Sequence, residues 1–320
     1  MFLAVVAGMS GVVAFPALIP SFQAEWGLTN TQSGIISGIY FAGYAAAVPV
    51  LTGLTDRIDP RRVVLAGMGI SIAASLGFAV GADGAWSAGF WRVLHGVGFA
   101  GIYMPAIKAL SDTVEESQQG RAVTFVSAAF SAGFAVSYLS AGALAEALGW
   151  RWAFAWLALG PALGYLFAAW ALPRRPPAAA PPREPLMDIR PALRNRRALA
   201  YMVAYFVHNS ESSAMRAWAV SFLVLAQAGQ ATASFGWDWS PTVIAMAANF
   251  MGLPAILLAN EVASATGRRG VIMGIMAASA LTGLVLGFCP AIGAYLQELL
   301  GLRTLVVVEI MGNPIRSQVF

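Results

Sequence analysis

Nine apolar runs, each close to the length an α-helix needs to cross a bilayer, follow one another through this sequence with only short polar joints between most of them. They occupy roughly 2–22, 31–54, 62–82, 86–107, 122–144, 152–172, 197–225, 240–261 and 270–289; a tenth opens near Arg303, and the sequence ends at Phe320. In hydrocarbon every backbone N–H and C=O must be paired inside the protein, so runs of this kind are expected to be helices. The predicted fold class is an all-α integral membrane protein with about nine complete transmembrane helices and part of a tenth. Composition agrees: 58% of residues are hydrophobic and 11% charged, with a mean hydropathy of +0.70, whereas soluble domains carry about 25% charged residues. Residues 1–22 lack a basic n-region and a small-residue cleavage site, so they are read as the first span and not as a signal peptide.

The most highly charged short joint is Gly53-Leu54-Thr55-Asp56-Arg57-Ile58-Asp59-Pro60-Arg61-Arg62. Five charges within seven residues would be very costly in hydrocarbon, so the joint is a loop in water. Its arginines place it on the cytoplasmic side. Alternating from there, the inner joints hold Arg57, Arg61, Arg62, Lys108, Arg121, seven arginines between positions 174 and 197, Arg268 and Arg269, while the outer joints hold only Arg151 and Arg303. The reversed orientation would violate the positive-inside rule. Trp26, Trp86, Trp91, Trp150, Trp152, Trp237 and Trp239 then fall at the outer ends of the spans, as an interfacial belt would. The expected location is the cell (inner) membrane, multi-pass, with the N-terminus and central linker cytoplasmic. That topology also explains the net charge of +4 without a nucleic-acid partner. Cys289 stands alone, which excludes an intramolecular disulfide and a cysteine metal site.

Residues 173–196, rich in proline and arginine, form the one long polar joint. Proline density forbids a continuous helix there. The segment is read as a cytoplasmic linker between an N-terminal six-helix bundle, 1–172, and an incomplete C-terminal bundle, 197–320. An internal repeat supports the division. Pro49 is followed seven residues later by Asp56 and then by Arg61-Arg62; Pro254 is followed seven residues later by Glu261 and then by Arg268-Arg269.

The pattern Gly-Leu-x-Asp-Arg-x-x-x-Arg-Arg at positions 53–62 resembles the loop between the second and third helices of the major facilitator superfamily of secondary transporters, with Asp59-Pro60 where the family usually has glycine. Arg92-x-x-His95-Gly96-x-Gly98-x-Ala100 is similar to the superfamily's fourth-helix motif, Gly149-Trp150-Arg151-Trp152-Ala153-Phe154 to the junction before its sixth helix, and His208-Asn209-Ser210-Glu211 with Arg216-Ala217-Trp218 to its seventh helix in some bacterial members. The resemblance implies two six-helix halves that rock about a mid-membrane site. It also implies that Arg92 is linked to coupling, and that Gly53, Asp56, Arg57, Arg61 and Arg62 form an inner gate whose partner is the start of an eleventh helix. Glu261, Arg268 and Arg269 would be the counterpart gate, against the fifth helix near Arg121. Where the family's antiporters carry Gly-Pro in the fifth helix, this sequence has Ser137-Tyr138, a departure that points to symport or uniport.

The residues themselves narrow the candidates. Arg92 lies about 9 Å into its helix. At that depth it meets a carboxylate, a carbonyl or a watery cavity, or else snorkels to the outer interface. Glu211 sits near the middle of its span, where desolvation raises a carboxyl pKa towards neutrality and suits it to carry a proton. A structural inter-helix salt bridge is the competing role. Helical spacing puts His208, Glu211, Ser212 and Met215 on one face and turns Arg216 about 140° away. Tyr40 and Tyr103 complete the substrate or coupling candidates. Glycine pairs four apart, Gly34/Gly38, Gly77/Gly81, Gly160/Gly164, Gly270/Gly274 and Gly283/Gly287, are read as helix packing sites. Gly8-Met9-Ser10-Gly11 matches an intramembrane serine protease motif, but the only histidines belong to other motifs and supply no base. No phosphate loop or metal-ligand spacing occurs. The expectation is therefore a non-enzymatic carrier, a symporter or permease, monomeric in the lipid bilayer. It needs no cofactor and is driven by a proton or solute gradient to take up a small anion. A non-transporting receptor and an exporter or uniporter of the same superfamily are the alternatives.

Overall fold

Proline and glycine decide where the apolar runs end and where they break. The computed structural model of the chain describes residues 1–112, 114–174, 193–228, 239–267, 269–279 and 281, and within them all regular structure is helical. In order the helices are α1 (Phe2–Gly8), α2 (Ala14–Ala17), α3 (Ile19–Trp26), α4 (Asn30–Leu54), α5 (Pro60–Gly81), α6 (Ala85–Ser111), α7 (Glu116–Leu148), α8 (Trp150–Leu157), α9 (Leu159–Ala171), α10 (Arg196–Ala228), α11 (Pro241–Thr266) and α12 (Arg269–Ser279). Among the described residues six stretches are long and apolar enough to cross a membrane: α4, α5, α6, most of α7, α8 with α9, and α11. Most of the proline-rich linker, the end of the ninth run and all of the tenth lie outside the described residues.

Local chemistry sets the ends. Gly27, at φ 63°, stops α3, and Thr29 with Gln32 forms a reciprocal capping box that starts α4. Asp59 caps α5 by accepting from the Arg61 amide at 2.9 Å, with Pro60 at the first helical position. The turn resembling the family loop is thus closed here by Asp-Pro in place of glycine. Gly53 belongs to the last turn of α4 and not to the loop.

The first predicted span is not one continuous helix. It breaks over residues 9–13, and the break follows from Pro16, which has no N–H to give the Val12 carbonyl four residues earlier. Arg92 Nη1 donates to that carbonyl instead, at 2.9 Å, and the free Val13 amide donates to Ser137 Oγ at 3.1 Å. The sixth span breaks in the same way. Pro161 leaves the Leu157 carbonyl unpaired, and the Ser10 hydroxyl donates to it at 3.0 Å. Pro173 does likewise to Ala169, whose carbonyl accepts from Arg61 Nη2 at 2.7 Å. Each of these three proline-freed acceptors is satisfied from another span, the condition for irregular backbone at membrane depth. Ser10, which the sequence placed in a protease-like motif, is a tether between the first and sixth spans. Ser10→Ala is expected to lower the thermal unfolding midpoint in detergent through a loss of about 1 kcal/mol. Pro161→Ala, which returns an N–H to Leu157, should make that loss small; an undiminished loss in the double variant would overturn the tether.

Close approach between helices rests on missing side chains. α6 runs between α4 and α5, where a Cβ added to Gly96 would lie 2.0 Å from the Tyr40 carbonyl oxygen, and one on Gly67 2.6 Å from that of Gly98. Of the predicted glycine pairs, Gly160/Gly164 seats α9 on the backbone of α1 and Gly77/Gly81 seats Trp91. Gly34/Gly38 and Gly270/Gly274 meet little or nothing within 4 Å, and Gly283/Gly287 lies outside the described residues. α11 lies antiparallel along α7, with Gly142 against Thr242 and Gly252 against Ser131. Phe15, Phe22, Trp26, Phe78, Trp150 and Phe154 pack as an aromatic cluster, Phe78 stacking on Phe154 with centroids 4.0 Å apart. Trp150 is buried there, donating to Glu25 Oε2 at 2.6 Å, and is not part of a lipid-facing belt. Trp86 and Trp152 are exposed, as a belt requires.

Candidate functional site

α6 carries Arg92 and His95 one turn apart, and the glycines around them bring α4 and the broken first span against the same face. Arg92 is 2% exposed. Its guanidinium carbon lies 4.4 Å from the centre of the Tyr40 ring and 6.0 Å from that of Phe15, a cation–π arrangement. One nitrogen is spent on the Val12 carbonyl. Arg92 Nε and the Tyr40 hydroxyl, both buried, have no hydrogen-bond partner among the described residues. The snorkelling alternative is therefore wrong: the side chain turns inward because a proline-freed carbonyl and an aromatic face wait for it there. His95 is buried edge-on to Tyr40, centroids 5.7 Å apart, and its Cε1 would lie 3.1 Å from a Cβ on Gly11.

A second cation sits where α7, α10 and α11 meet. Arg216 lies 4.4 Å from the Phe134 ring centre, and its Nε donates to Asn249 Oδ1 at 3.3 Å. Asn249 is itself oriented by donating to the Ala245 carbonyl at 2.9 Å. The Tyr138 hydroxyl donates to the Arg216 carbonyl, pinning α10 to α7. Ser137-Tyr138, visible in the sequence only as a departure from the antiporter pattern, thus makes two of the inter-helix contacts that hold the centre together.

Aromatic rings connect the two arginines. Tyr40 leads to Phe99 at 6.1 Å, Phe99 to Phe130 at 5.9 Å and Phe130 to Phe134 at 4.7 Å between centroids. Tyr44 lies 5.4 Å from Phe99, and Tyr103 lies 4.9 Å from Phe130 with its hydroxyl 3.3 Å from Ser127 Oγ. Tyr205 of α10 is close enough to Tyr44 and Tyr103 to interact with both electrostatically. Among the described residues neither Arg92 nor Arg216 is paired with a carboxylate.

The structure thus joins Arg92, His95, Tyr40, Tyr103 and Arg216 through one chain of rings. It does not bring His208 to them: His208 and Met215 are exposed on α10, and Ser212 is half-buried. The side chain of Glu211 lies outside the described residues. Sequence reasoning missed Asn249, Phe134 and Val12. The spacing Val12–Pro16 was the available signal for the last.

At the charged loop, Asp56 forms an ion pair with Lys108 at the end of α6 and so is not merely a solvated loop acid. Arg57 is half-buried and Arg62 exposed. The second predicted gate is built differently, since Glu261 is still within α11 and exposed, whereas Asp56 lies past the end of α4. Arg269 is exposed at the start of α12; Arg268 and the side chain of Arg121 lie outside the described residues. The register that sets residue 142 against 242 and 131 against 252 brings the backbone of 121 level with about 262, next to Glu261.

A family model, Major Facilitator Superfamily, matches residues 1–314. The chain belongs to this superfamily. Proteins similar to the chain include a probable sphingolipid transporter, spinster homolog 1, of Arabidopsis thaliana, 28% identical over 132 residues covering 41% of this chain and 27% of that protein. A probable 4-methylmuconolactone transporter of Cupriavidus pinatubonensis is 29% identical over 164 residues, 48% of this chain and 36% of that protein. A puromycin resistance protein of Streptomyces alboniger is 31% identical over 147 residues, 45% of this chain and 28% of that protein. The chain thus spans between about a quarter and just over a third of the length of the curated relatives it matches. Membership in a superfamily whose similar members are named as transporters agrees with a carrier and not an enzyme.

Proposed function

We propose that this superfamily member is a proton-coupled secondary transporter that takes up a small anionic solute by alternating access. The observation that carries this reading is the pair of buried or partly buried arginines, Arg92 and Arg216, without a carboxylate partner among the described residues. An unpaired cation at membrane depth is costly, and a bound anion offsets that cost. Arg216 and Asn249 meet the anion. Arg92 ties the broken first span to α6, so that a change in its protonated or hydrogen-bonded surroundings moves that span. Glu211 is the proposed proton carrier, with His95 and His208 as further titratable groups. The halves 1–172 and 197–320, joined by the 173–196 linker, rock about this centre, and Asp56 with Lys108, Arg57, Arg61 and Arg62 closes one end. The protein works as a monomer in the inner membrane, with its N-terminus and linker in the cytoplasm and no cofactor. Outward movement is the second reading, favoured by the relative named for puromycin resistance, because a carrier protects a cell by expelling a compound.

Proteoliposomes containing the protein expressed from its complete gene test the coupling. Under a valinomycin clamp, adding substrate is expected to acidify the lumen, and Glu211→Gln is expected to abolish uphill uptake while leaving counterflow. Full uphill uptake by Glu211→Gln would remove the proposed carrier. With Cys289 replaced by serine, single cysteines at the exposed positions 62 and 266 are expected to react only from the cytoplasmic side; labelling from the other side would reverse the orientation and with it the gate.

A further inference from the structure

Five aromatic side chains run from the first arginine to the second: Phe99 and Phe134 are buried, while Phe130 and the hydroxyl-bearing Tyr44 and Tyr103 are partly exposed. A carrier for an inorganic anion or a short aliphatic acid has no need of such a surface, because hydrated ions gain nothing from ring faces. A planar unsaturated body does gain from them, through offset stacking and edge contacts at the spacings seen here. The two arginines are also not equivalent. Arg92 is 2% exposed and already spends Nη1 on the Val12 carbonyl, so it is part of the scaffold. Arg216 is only partly buried; it is held against Phe134 and its Nε against Asn249, which leaves its two terminal nitrogens without a hydrogen-bond partner among the described residues. A guanidinium held on one face and one edge is pre-organised for two parallel hydrogen bonds from the remaining edge to a carboxylate. The Asn249 amide stays in register through Ala245, and Tyr138 holds the Arg216 backbone in place.

We infer that the ligand of this centre is an organic carboxylate with a planar, unsaturated ring, its carboxylate on Arg216 beside Asn249 and its ring against the partly exposed Phe130 and Tyr103. The inference rests on the transport reading above for the role of the site and goes beyond it in naming the ligand class. Charge and shape make separate demands: the carboxylate is needed for Arg216, the ring for the aromatic face, and neither substitutes for the other. Phe134, buried behind both, joins the two demands: it holds the guanidinium on one side and packs against Phe130 on the other.

Calorimetric titration of the detergent-solubilised protein, expressed from its complete gene, separates these demands. Four probes are used: benzoate, its neutral analogue benzyl alcohol, its cationic analogue benzylamine, and acetate, which has the charge but no ring. Benzoate is expected to bind about tenfold or more tightly than each of the others, the margin a lost charge-assisted hydrogen bond or a lost ring contact confers. Arg216→Gln should remove the preference for benzoate over benzyl alcohol, and Phe130→Leu the preference for benzoate over acetate. Asn249→Ala, a milder change on a different helix, should weaken benzoate without altering the order of the probes, and the unfolding midpoint of each variant shows that it has folded. Acetate binding as tightly as benzoate would overturn the ring requirement, a preference for benzylamine the sign of the charge, and no heat from benzoate the assignment itself. Benzoate binding without uptake of radiolabelled benzoate into proteoliposomes would uphold the ligand class and overturn the transport reading.

Discussion

Gly96→Ala is expected to lower the thermal midpoint sharply, and Gly96→Val to prevent accumulation of folded protein in the membrane. A Cβ at this position lies 2.0 Å from the Tyr40 carbonyl oxygen and 3.0 Å from the Tyr44 amide nitrogen, both backbone atoms of α4. No rotamer change relieves a clash with backbone, so α4 and α6 have to move apart. The contact is reciprocal: a Cβ on Gly43 would meet the Val93 carbonyl oxygen at 2.4 Å, so the two helices touch backbone to backbone at two successive levels. Overpacking of this kind costs about 1–3 kcal/mol even where side chains give way, and more where they do not. Separation of α4 from α6 also lifts Tyr40 off Arg92, so transport falls with stability. Gly38→Ala on the same α4 is the control, since nothing lies within 4 Å of its added Cβ. It is expected to be neutral or stabilising by up to about 1 kcal/mol through helix propensity. Equal midpoints for Gly96→Ala and Gly38→Ala, measured side by side in one detergent, would show that α4 and α6 do not meet as described.

Arg92→Met is expected to abolish transport and to destabilise the protein by about 1–3 kcal/mol, the cost of leaving a buried acceptor unpaired. The acceptor is the Val12 carbonyl, which Pro16 cannot serve. Pro16→Ala restores an N–H four residues beyond Val12 and offers that carbonyl a partner within its own helix. In the double variant Arg92→Met/Pro16→Ala part of the stability should therefore return, with a coupling between the two sites of about 0.5–2 kcal/mol, within reach of inter-helix polar contacts measured in membranes. Transport should not return, because the guanidinium over Tyr40 is still missing. Arg92→Lys keeps the charge but not the planar face, so it is expected to retain more stability than activity. Additive losses in the double variant would mean that Arg92 does not act through the carbonyl. Recovery of uptake along with stability would reduce Arg92 to a structural tether.

Much of this organisation was legible from composition and spacing. The runs at 31–54, 62–82, 86–107, 122–144, 197–225 and 240–261 correspond to α4, α5, α6, α7, α10 and α11 within a few residues, because exclusion of backbone from hydrocarbon leaves a helix as the available answer for an apolar run. Asp59-Pro60, read as part of the charged loop, instead caps and opens α5, a start that its capping chemistry explains. The breaks in the first and sixth spans were less so. A proline shows that a carbonyl four residues earlier loses its partner, but not whether the helix bends, opens or finds a donor elsewhere. Arg92 was flagged by its depth and by the fourth-helix motif that it opens. Its direction depended on which of several polar partners lay nearby, and the partner turned out to be a carbonyl 80 positions away. His208 shows the opposite failure, since a shared helix face says which residues lie together but not whether that face turns inward.

From its sequence alone, this protein was determined to be a multi-pass helical membrane protein resembling one superfamily, because hydrophobic length, the polar joints and short motifs are local properties that carry their physical meaning with them. Only the tertiary structure decided that two arginines sit at the ends of a row of aromatic rings, that Ser10, Arg61 and Arg92 replace the donors removed by three prolines, and that Asp56 reaches Lys108. Those facts depend on which helices lie side by side and at what register. Backbone approach at glycines such as Gly96 and Gly160 sets that register, and a residue without a side chain does not name its neighbour until the chain is folded.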